Sequence, residues 1–165
     1  LKGKNLGLVD PNSTSGNNVP RFALNKLKLN PETFFGRVTY TGSHENAVIA
    51  LQQKTVDVAA NWWNAESDSN LTRMASKGLA KQEDFRIIYK SDLIPNSPFA
   101  YLDSLPPDLK AAITKAFMES PTKAKAAFDK LSDGKDRGFQ VVDAKYYEPV
   151  VELIKFIDQL RKQKS

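Results

Sequence analysis

The sequence predicts an α/β fold, a parallel or mixed sheet with helices on its faces, and three observations carry that prediction. Short β-prone runs alternate with helix-like stretches through the first ninety residues, the pattern of βαβ units. Helix-start chemistry follows two of those runs, at Ser13 to Gly16 and at Ser43 before His44. The composition, 41% hydrophobic and 26% charged over 165 residues, is that of an ordinary globular chain.

Asn5-Leu6-Gly7-Leu8-Val9 reads as a short buried strand stopped by the turn cluster Asp10-Pro11-Asn12. A helix follows through Phe22, Ala23, Leu24, Leu27 and Leu29, with Pro20 tolerated near its first turn and Asn30-Pro31 closing it. Phe34 to Tyr40 contains the second strand. His44 to about Gln53 forms a helix capped by Ser43, and Thr55 to Ala60 a third strand. After Trp62-Trp63 comes an acidic, Ser-rich turn at Glu66 to Ser69, then a helix from about Asn70 to Lys77. Phe85 to Lys90, rich in β-formers, predicts a fourth strand. Beyond Ile94, Pro95, Pro98, Pro106 and Pro107 punctuate an extended segment. Helices are expected over Pro107 to Glu119 and Pro121 to Leu131, the second started by Ser120 and Pro121. A Gly- and charge-rich loop holds a short strand at Phe139 to Val141. A last helix, Ala144 to Lys162, places Tyr147, Val150, Val151, Ile154, Ile157 and Leu160 on one side.

Several function classes drop out at once. No apolar run approaches the roughly 20 residues of a membrane-crossing helix. Leu1 to Asn5 lacks the apolar stretch of a signal peptide. The chain has no cysteine, which removes disulfides, thiolate metal sites and thiol catalysis. The net charge of +5 suits an anionic partner, but the Lys and Arg residues are scattered singly among acids and no nucleic-acid reader element is recognisable. Nucleic acid is therefore not expected as a partner, and no cofactor is implied.

In an α/β sheet, ligands bind beyond the carboxyl ends of the strands. That rule selects three loops: Asn12 to Gly16, Thr41 to His44 and Asn61 to Ser67. Ser13, Thr14 and Ser15 set hydroxyls beside the unpaired N–H groups of a helix start, which suits phosphate-like oxygens; simple N-capping accounts for the same residues. The Gly-Lys-Ser/Thr of a nucleotide-binding loop is missing. His44, the single histidine, stands at a second helix start, where it can donate to the same anion or serve as a surface or packing residue. Trp62 can wall a pocket while Trp63 packs in the core, or both can be core. Glu66 and Asp68 can meet a ligand amine, with helix capping as the alternative for Asp68. Asp57 reads as a turn or edge residue.

Asp10-Pro11-Asn12-Ser13-Thr14-Ser15-Gly16, Val19-Pro20, Gly42-Ser43-His44-Glu45 and Val56-Asp57-Val58-Ala59 together resemble the periplasmic phosphonate-binding proteins of ABC importers. Lys90 to Pro98 resembles that family's crossing back toward its first lobe. The resemblance implies a periplasmic-binding-protein type II, or Venus-flytrap, fold. Residues 1–90 would be its second lobe, and residues 91–165 the crossover and C-terminal helices returning to an incomplete first lobe. It implies that Ser13, Thr14, Ser15 and His44 hold the phosphonate oxygens, that a membrane permease is the partner, that the location is periplasmic, and that the protein is not an enzyme. Members that bind an aminoalkyl phosphonate carry an aspartate where Ser97 stands here. Their acidic amine ligand after the third strand is best matched by Glu66. Amine-free ligands such as an alkylphosphonate, phosphite or a phosphate ester therefore stay open. Two other functions compete: a ligand-sensing domain of a regulator or sensor, and a hydrolase with Ser13 or Ser15 as nucleophile, His44 as base and Asp57 as orienter. Neither serine lies in a Gly-x-Ser-x-Gly elbow.

Overall fold

β1 (Asn5–Leu8) is the middle strand of a three-stranded parallel sheet, between β2 (Arg37–Tyr40) and β3 (Val58–Ala59). Leu6 pairs with Val38 on one side and Val58 on the other, which sets the register of all three strands. The chain thus moves from β1 to one neighbour and then crosses over to the other, so the order reverses at β1. The computed structural model describes residues 1–132 and 134–162. They fall into two compact units, Leu1–Ile94 with the chain from Pro149 onward, and Pro95–Glu148.

In the first unit, Leu6, Leu8 and Phe35 form a buried cluster covered by Leu24, Phe34, Val38 and Val58. Leu8 has no exposed surface, and a leucine buried to that degree stabilises the fold by roughly 1.5–3 kcal/mol. A second cluster joins Val48, Met74 and Ala80, with Leu71 and Phe85 against it. Its helices are α3 (His44–Gln52) and α4 (Asn70–Ser76). Ser43 caps α3 by accepting from the Asn46 N–H at 3.0 Å, as expected from the sequence. Ser69 and Thr72 form a reciprocal capping box at the start of α4.

The connection from β1 to the first helix is tighter than a plain cap. Thr14–Asn18 makes one π-helical turn that runs directly into α1 (Val19–Lys26), with the Asn18 N–H bonded to the Ser13 carbonyl at 3.0 Å. Pro20 explains part of this. A residue with an N–H at that position would bond back toward the carbonyl of residue 16. Without it, the Gly16 carbonyl accepts from the Val9 N–H at 3.0 Å and ties the turn to the end of β1. That close approach needs glycine, because a Cβ on Gly16 would lie 2.4 Å from the Val9 Cβ and 2.8 Å from the Ser13 Oγ.

Several elements differ from expectation. α1 stops at Lys26, and a separate short helix α2 (Pro31–Phe34) follows Asn30. Trp63–Ala65 (β4) and Asp68–Ser69 (β5) form a bulged antiparallel hairpin where only a turn was expected. Phe85 to Lys90 is not a strand: Phe85 packs on the second cluster, while Ile87, Ile88 and Tyr89 are exposed. β-propensity becomes a strand only where a neighbour completes the ladder, and among the described residues none pairs with it.

The second unit contains α5 (Pro107–Lys123) and α6 (Lys125–Ser132). The expected break at Ser120-Pro121 lies at Ala124 instead, and Pro121 sits inside α5. Proline there leaves the Phe117 carbonyl without its i+4 donor, and the Ser120 hydroxyl supplies the bond at 2.7 Å. Phe139 to Val141 is not a strand either. Phe139 instead meets Phe99, Phe117 and Phe128, with ring centroids 5.0–5.6 Å apart, so its burial comes from aromatic packing.

The last helix begins as a 3-10 turn at Ala144–Tyr147 and continues as α7 (Glu148–Lys162). Its buried stripe is centred on Leu153 and Ile157, while Val151 and Ile154 of the expected face are exposed. Phe156 packs on Phe22 of α1 at 5.4 Å between centroids.

Two outcomes follow. Gly16→Ala should destabilise the first unit by about 1–3 kcal/mol, the usual cost of overpacking, visible as a lower thermal midpoint. Ser120→Ala should cost about 1 kcal/mol in urea unfolding, and nearly nothing in a Pro121→Ala background, where the backbone N–H returns to the Phe117 carbonyl.

Candidate functional site

Because β1, β2 and β3 are parallel neighbours, the loops that leave their carboxyl ends share one edge of the sheet. Main-chain bonds tie them there. The Val9 carbonyl accepts from the Gly42 N–H at 2.8 Å, and the Leu8 carbonyl from the Thr41 N–H at 2.8 Å. Gly42 has φ +86°, a conformation that glycine adopts without strain. On the other side, the Ala60 N–H bonds to the Gly7 carbonyl at 2.9 Å.

In the first loop, Asp10 shapes the approach by accepting the Asn12 N–H at 2.8 Å, an Asx turn. The Ser13 Oγ accepts from the Gly16 N–H at 3.0 Å, so Ser13 is the cap of the turn, and its hydroxyl proton is still available to an acceptor. Thr14 and Ser15 are different. Neither their N–H groups nor their hydroxyls have a partner among the described residues, and Thr14 is exposed. Four neutral donors thus stand together in the first turn of a helix, where the unpaired N–H groups carry partial positive charge. Capping and donor presentation, alternatives on sequence grounds, are divided between neighbouring residues.

His44 opens α3 in the second loop and is half-buried. Its Nδ1 lies 2.8 Å from Asn61 Oδ1, and Asn61 Nδ2 donates to the His44 carbonyl at 2.9 Å. Asn61 follows β3, so this pair bridges the loops after the two outer strands. Sequence reasoning marked the third loop but passed over Asn61, although it is the first polar side chain after the strand.

Trp62 lies under the Arg73 guanidinium at 4.7 Å, and Trp63 under the Lys90 ammonium at 4.3 Å. Both indoles are half-buried, so neither is wholly core. Glu66 sits at the exposed tip of the β4–β5 hairpin, ion-paired with Lys90. Asp68 accepts from Asn64 at 2.9 Å and Arg73 at 3.3 Å, which braces the hairpin against α4; the cap there is Ser69. Hydrogen bonds therefore link the first, second and third loops through Val9, Gly42 and Asn61, while Glu66 is engaged with Lys90.

Asp57 cannot orient His44. It accepts from the Asn5 N–H at 2.8 Å at the amino end of β1, the opposite edge of the sheet from His44. The Ser-His-Asp arrangement weighed for a hydrolase does not assemble; Asn61 holds the position beside Nδ1. Ser97, in the second unit, is exposed. No group of three or more metal-suited side chains occurs among the described residues.

The family model described as "ABC transporter, phosphonate, periplasmic substrate-binding protein" matches residues 1–147. A curated relative, the phosphonates-binding periplasmic protein of Escherichia coli (strain K12), is 34% identical over 131 residues. That match covers 76% of this chain and 36% of the relative, so the chain spans about a third of the relative's length. No helix among the described residues is long and apolar enough to cross a membrane. The match over most of its length, with the donor loop and His44 on one edge of an α/β sheet, makes the chain a member of the periplasmic phosphonate substrate-binding family of ABC transporters.

Proposed function

We propose that the chain supplies the oxyanion-holding part of a substrate-binding protein that delivers phosphonates, or related phosphite and phosphate-ester anions, to the permease of an ABC importer. The observation that carries this reading is the set of unpartnered donors on Thr14 and Ser15, beside the Ser13 cap and the loop of His44. Such donors stabilise a desolvated anion by charge-assisted hydrogen bonds, without a formal cation in the loop. Residues 1–90 act as one lobe of a type II, Venus-flytrap protein. Residues 91–165 provide the crossing and the helices directed toward the other lobe, whose closure completes the site. α7, held on α1 by Phe156 and Phe22, is the part of that segment that stays with the first ninety residues. The protein binds and releases its ligand without chemistry, outside the cytoplasm.

The ligand on this reading need not carry an amine. In the family resemblance Ser97 replaces the aspartate carried by members that bind an aminoalkyl phosphonate, and Glu66 is paired with Lys90. Trp62 and Glu66 lie on the third loop, where they border the substituent on phosphorus.

Thr14→Ala and His44→Ala should each weaken methylphosphonate binding at least about tenfold by titration calorimetry, the scale of one hydrogen bond to a charged group. Unchanged affinity in both variants would remove the site assignment. Turnover of a generic ester, abolished by Ser15→Ala, would replace binding with hydrolysis.

A further inference from the structure

Asn61 determines which nitrogen of His44 carries the proton. A side-chain amide can be placed either way round, but two main-chain groups fix this one. The Trp62 N–H needs an acceptor and finds Asn61 Oδ1 at 3.0 Å; the His44 carbonyl needs a donor and finds Asn61 Nδ2 at 2.9 Å. With the amide oriented so, Oδ1 is the atom 2.8 Å from His44 Nδ1. An amide oxygen only accepts, so Nδ1 must be the donor. The neutral ring then has its proton on Nδ1 and a bare lone pair on Nε2.

We propose that Asn61 is a positioning residue that holds His44 in the Nδ1–H tautomer, and that the site consequently selects oxyanions able to share a proton with Nε2. The selectivity half of this inference rests on the oxyanion reading above; the tautomer half does not.

The chemistry follows from lone pairs. An oxyanion oxygen and the bare Nε2 both accept, so they repel unless one proton lies between them. Either the ring carries it as imidazolium, or the ligand carries it as P–OH. Phosphonates, phosphite and phosphate monoesters exchange such a proton near neutral pH. Sulfonates and sulfate are fully deprotonated there and leave the whole cost of protonation to the ring. A hydrogen-bond mismatch of this kind rejects a ligand more strongly than a difference in shape does. Had His44 been free to place its proton on Nε2, the neutral ring would donate to any oxyanion and the distinction would fade.

The chain has a single histidine, so its imidazole nitrogens can be observed without assignment of others. In the 15N-labelled 165-residue chain at about pH 9, above the ordinary imidazole range, long-range 1H–15N spectra should show Nδ1 protonated and Nε2 bare. Asn61→Ala should move the proton predominantly to Nε2. Asn61→Asp, whose carboxylate still accepts from Nδ1, should restore the original pattern. A bare Nδ1 in the unaltered chain, or a tautomer indifferent to Asn61→Ala, would overturn the lock whatever the ligand does.

Selectivity is then read with an isosteric pair, methylphosphonate and methanesulfonate, at about pH 7. The unaltered chain should prefer the phosphonate by at least about tenfold, and Asn61→Ala should bind the sulfonate about threefold more tightly than the unaltered chain does. A gain of binding on removing a side chain is not a result that structural damage gives. If the lock holds but methylphosphonate leaves Nε2 unshifted, the oxyanion reading fails and the tautomer assignment stands. If methylphosphonate shifts Nε2 but the sulfonate binds equally well, the selectivity is overturned and the oxyanion reading stands.

Discussion

The two backbone groups of Val9 are the constraint on which the rest of the site depends. Its N–H bonds to Gly16 and its carbonyl accepts from Gly42, so one residue at the end of the central strand positions both the donor turn and the loop that begins α3. Neither bond belongs to the strand ladder. Each uses a group that would otherwise face the sheet's open end unpaired, and leaving a buried one unpaired costs about 1–3 kcal/mol. Glycine at 16 and the missing N–H of Pro20 make the first bond possible; glycine at 42, at positive φ, makes the second. A short stretch of sequence therefore converts strand register into the placement of Thr14, Ser15 and His44.

Asn61 extends the same logic to the third loop. It joins the beginning of α3 to the end of β3 through a side-chain amide whose two ends serve different masters, one a main-chain carbonyl and the other an imidazole and a main-chain N–H. The hairpin that follows is held from the side. Arg73 covers Trp62 and reaches Asp68, and Lys90 covers Trp63 and reaches Glu66. Each cation thus touches one indole and one carboxylate, which fixes the hairpin without committing large apolar surface to the core. Exposed ion pairs of this kind contribute little stability, roughly 0–1 kcal/mol each, so their effect is on geometry.

Local signals in the sequence were sufficient at two helix starts. Ser43 before His44, and the start of a helix at Asn70, depend on capping and on nearby apolar spacing, and the structure has both. Where a partner decides, the sequence misled. Phe85 to Lys90 has the composition of a strand and no ladder to join, and Phe139 found three aromatic rings instead of a neighbouring strand. Pro121 misled for a different reason: proline usually marks a helix start, but the Ser120 hydroxyl repaired the interior bond and the helix ran on. In the first loop, the hydroxyl run Ser13-Thr14-Ser15 was legible as the start of a helix. The division of labour within it was not, because which hydroxyl caps and which are left to donate depends on a π-helical register that no spacing rule encodes.

On the proposed reading, that division bears on how an anion would be held without a lysine or arginine in the loop. The nearest fixed cation in the same helix is Arg21, buried and fully engaged. Its Nε donates to Asn17 at 2.9 Å, its guanidinium pairs with Glu32 at 3.0 Å, and the Tyr40 hydroxyl lies 3.5 Å away. Its charge is cancelled at close range by Glu32, so the donor turn gains rigidity from Arg21 through Asn17 and little net potential. On the reading proposed above, recognition would be left to dipoles, the N–H and O–H groups of Thr14 and Ser15, and to the one ring of His44. Dipoles bind a charge with strong dependence on direction, and they give up a ligand without separating an ion pair. A protein that must capture an anion and then release it is better served by oriented neutral donors than by a buried cation, whose unpaired charge after release would carry a large desolvation cost.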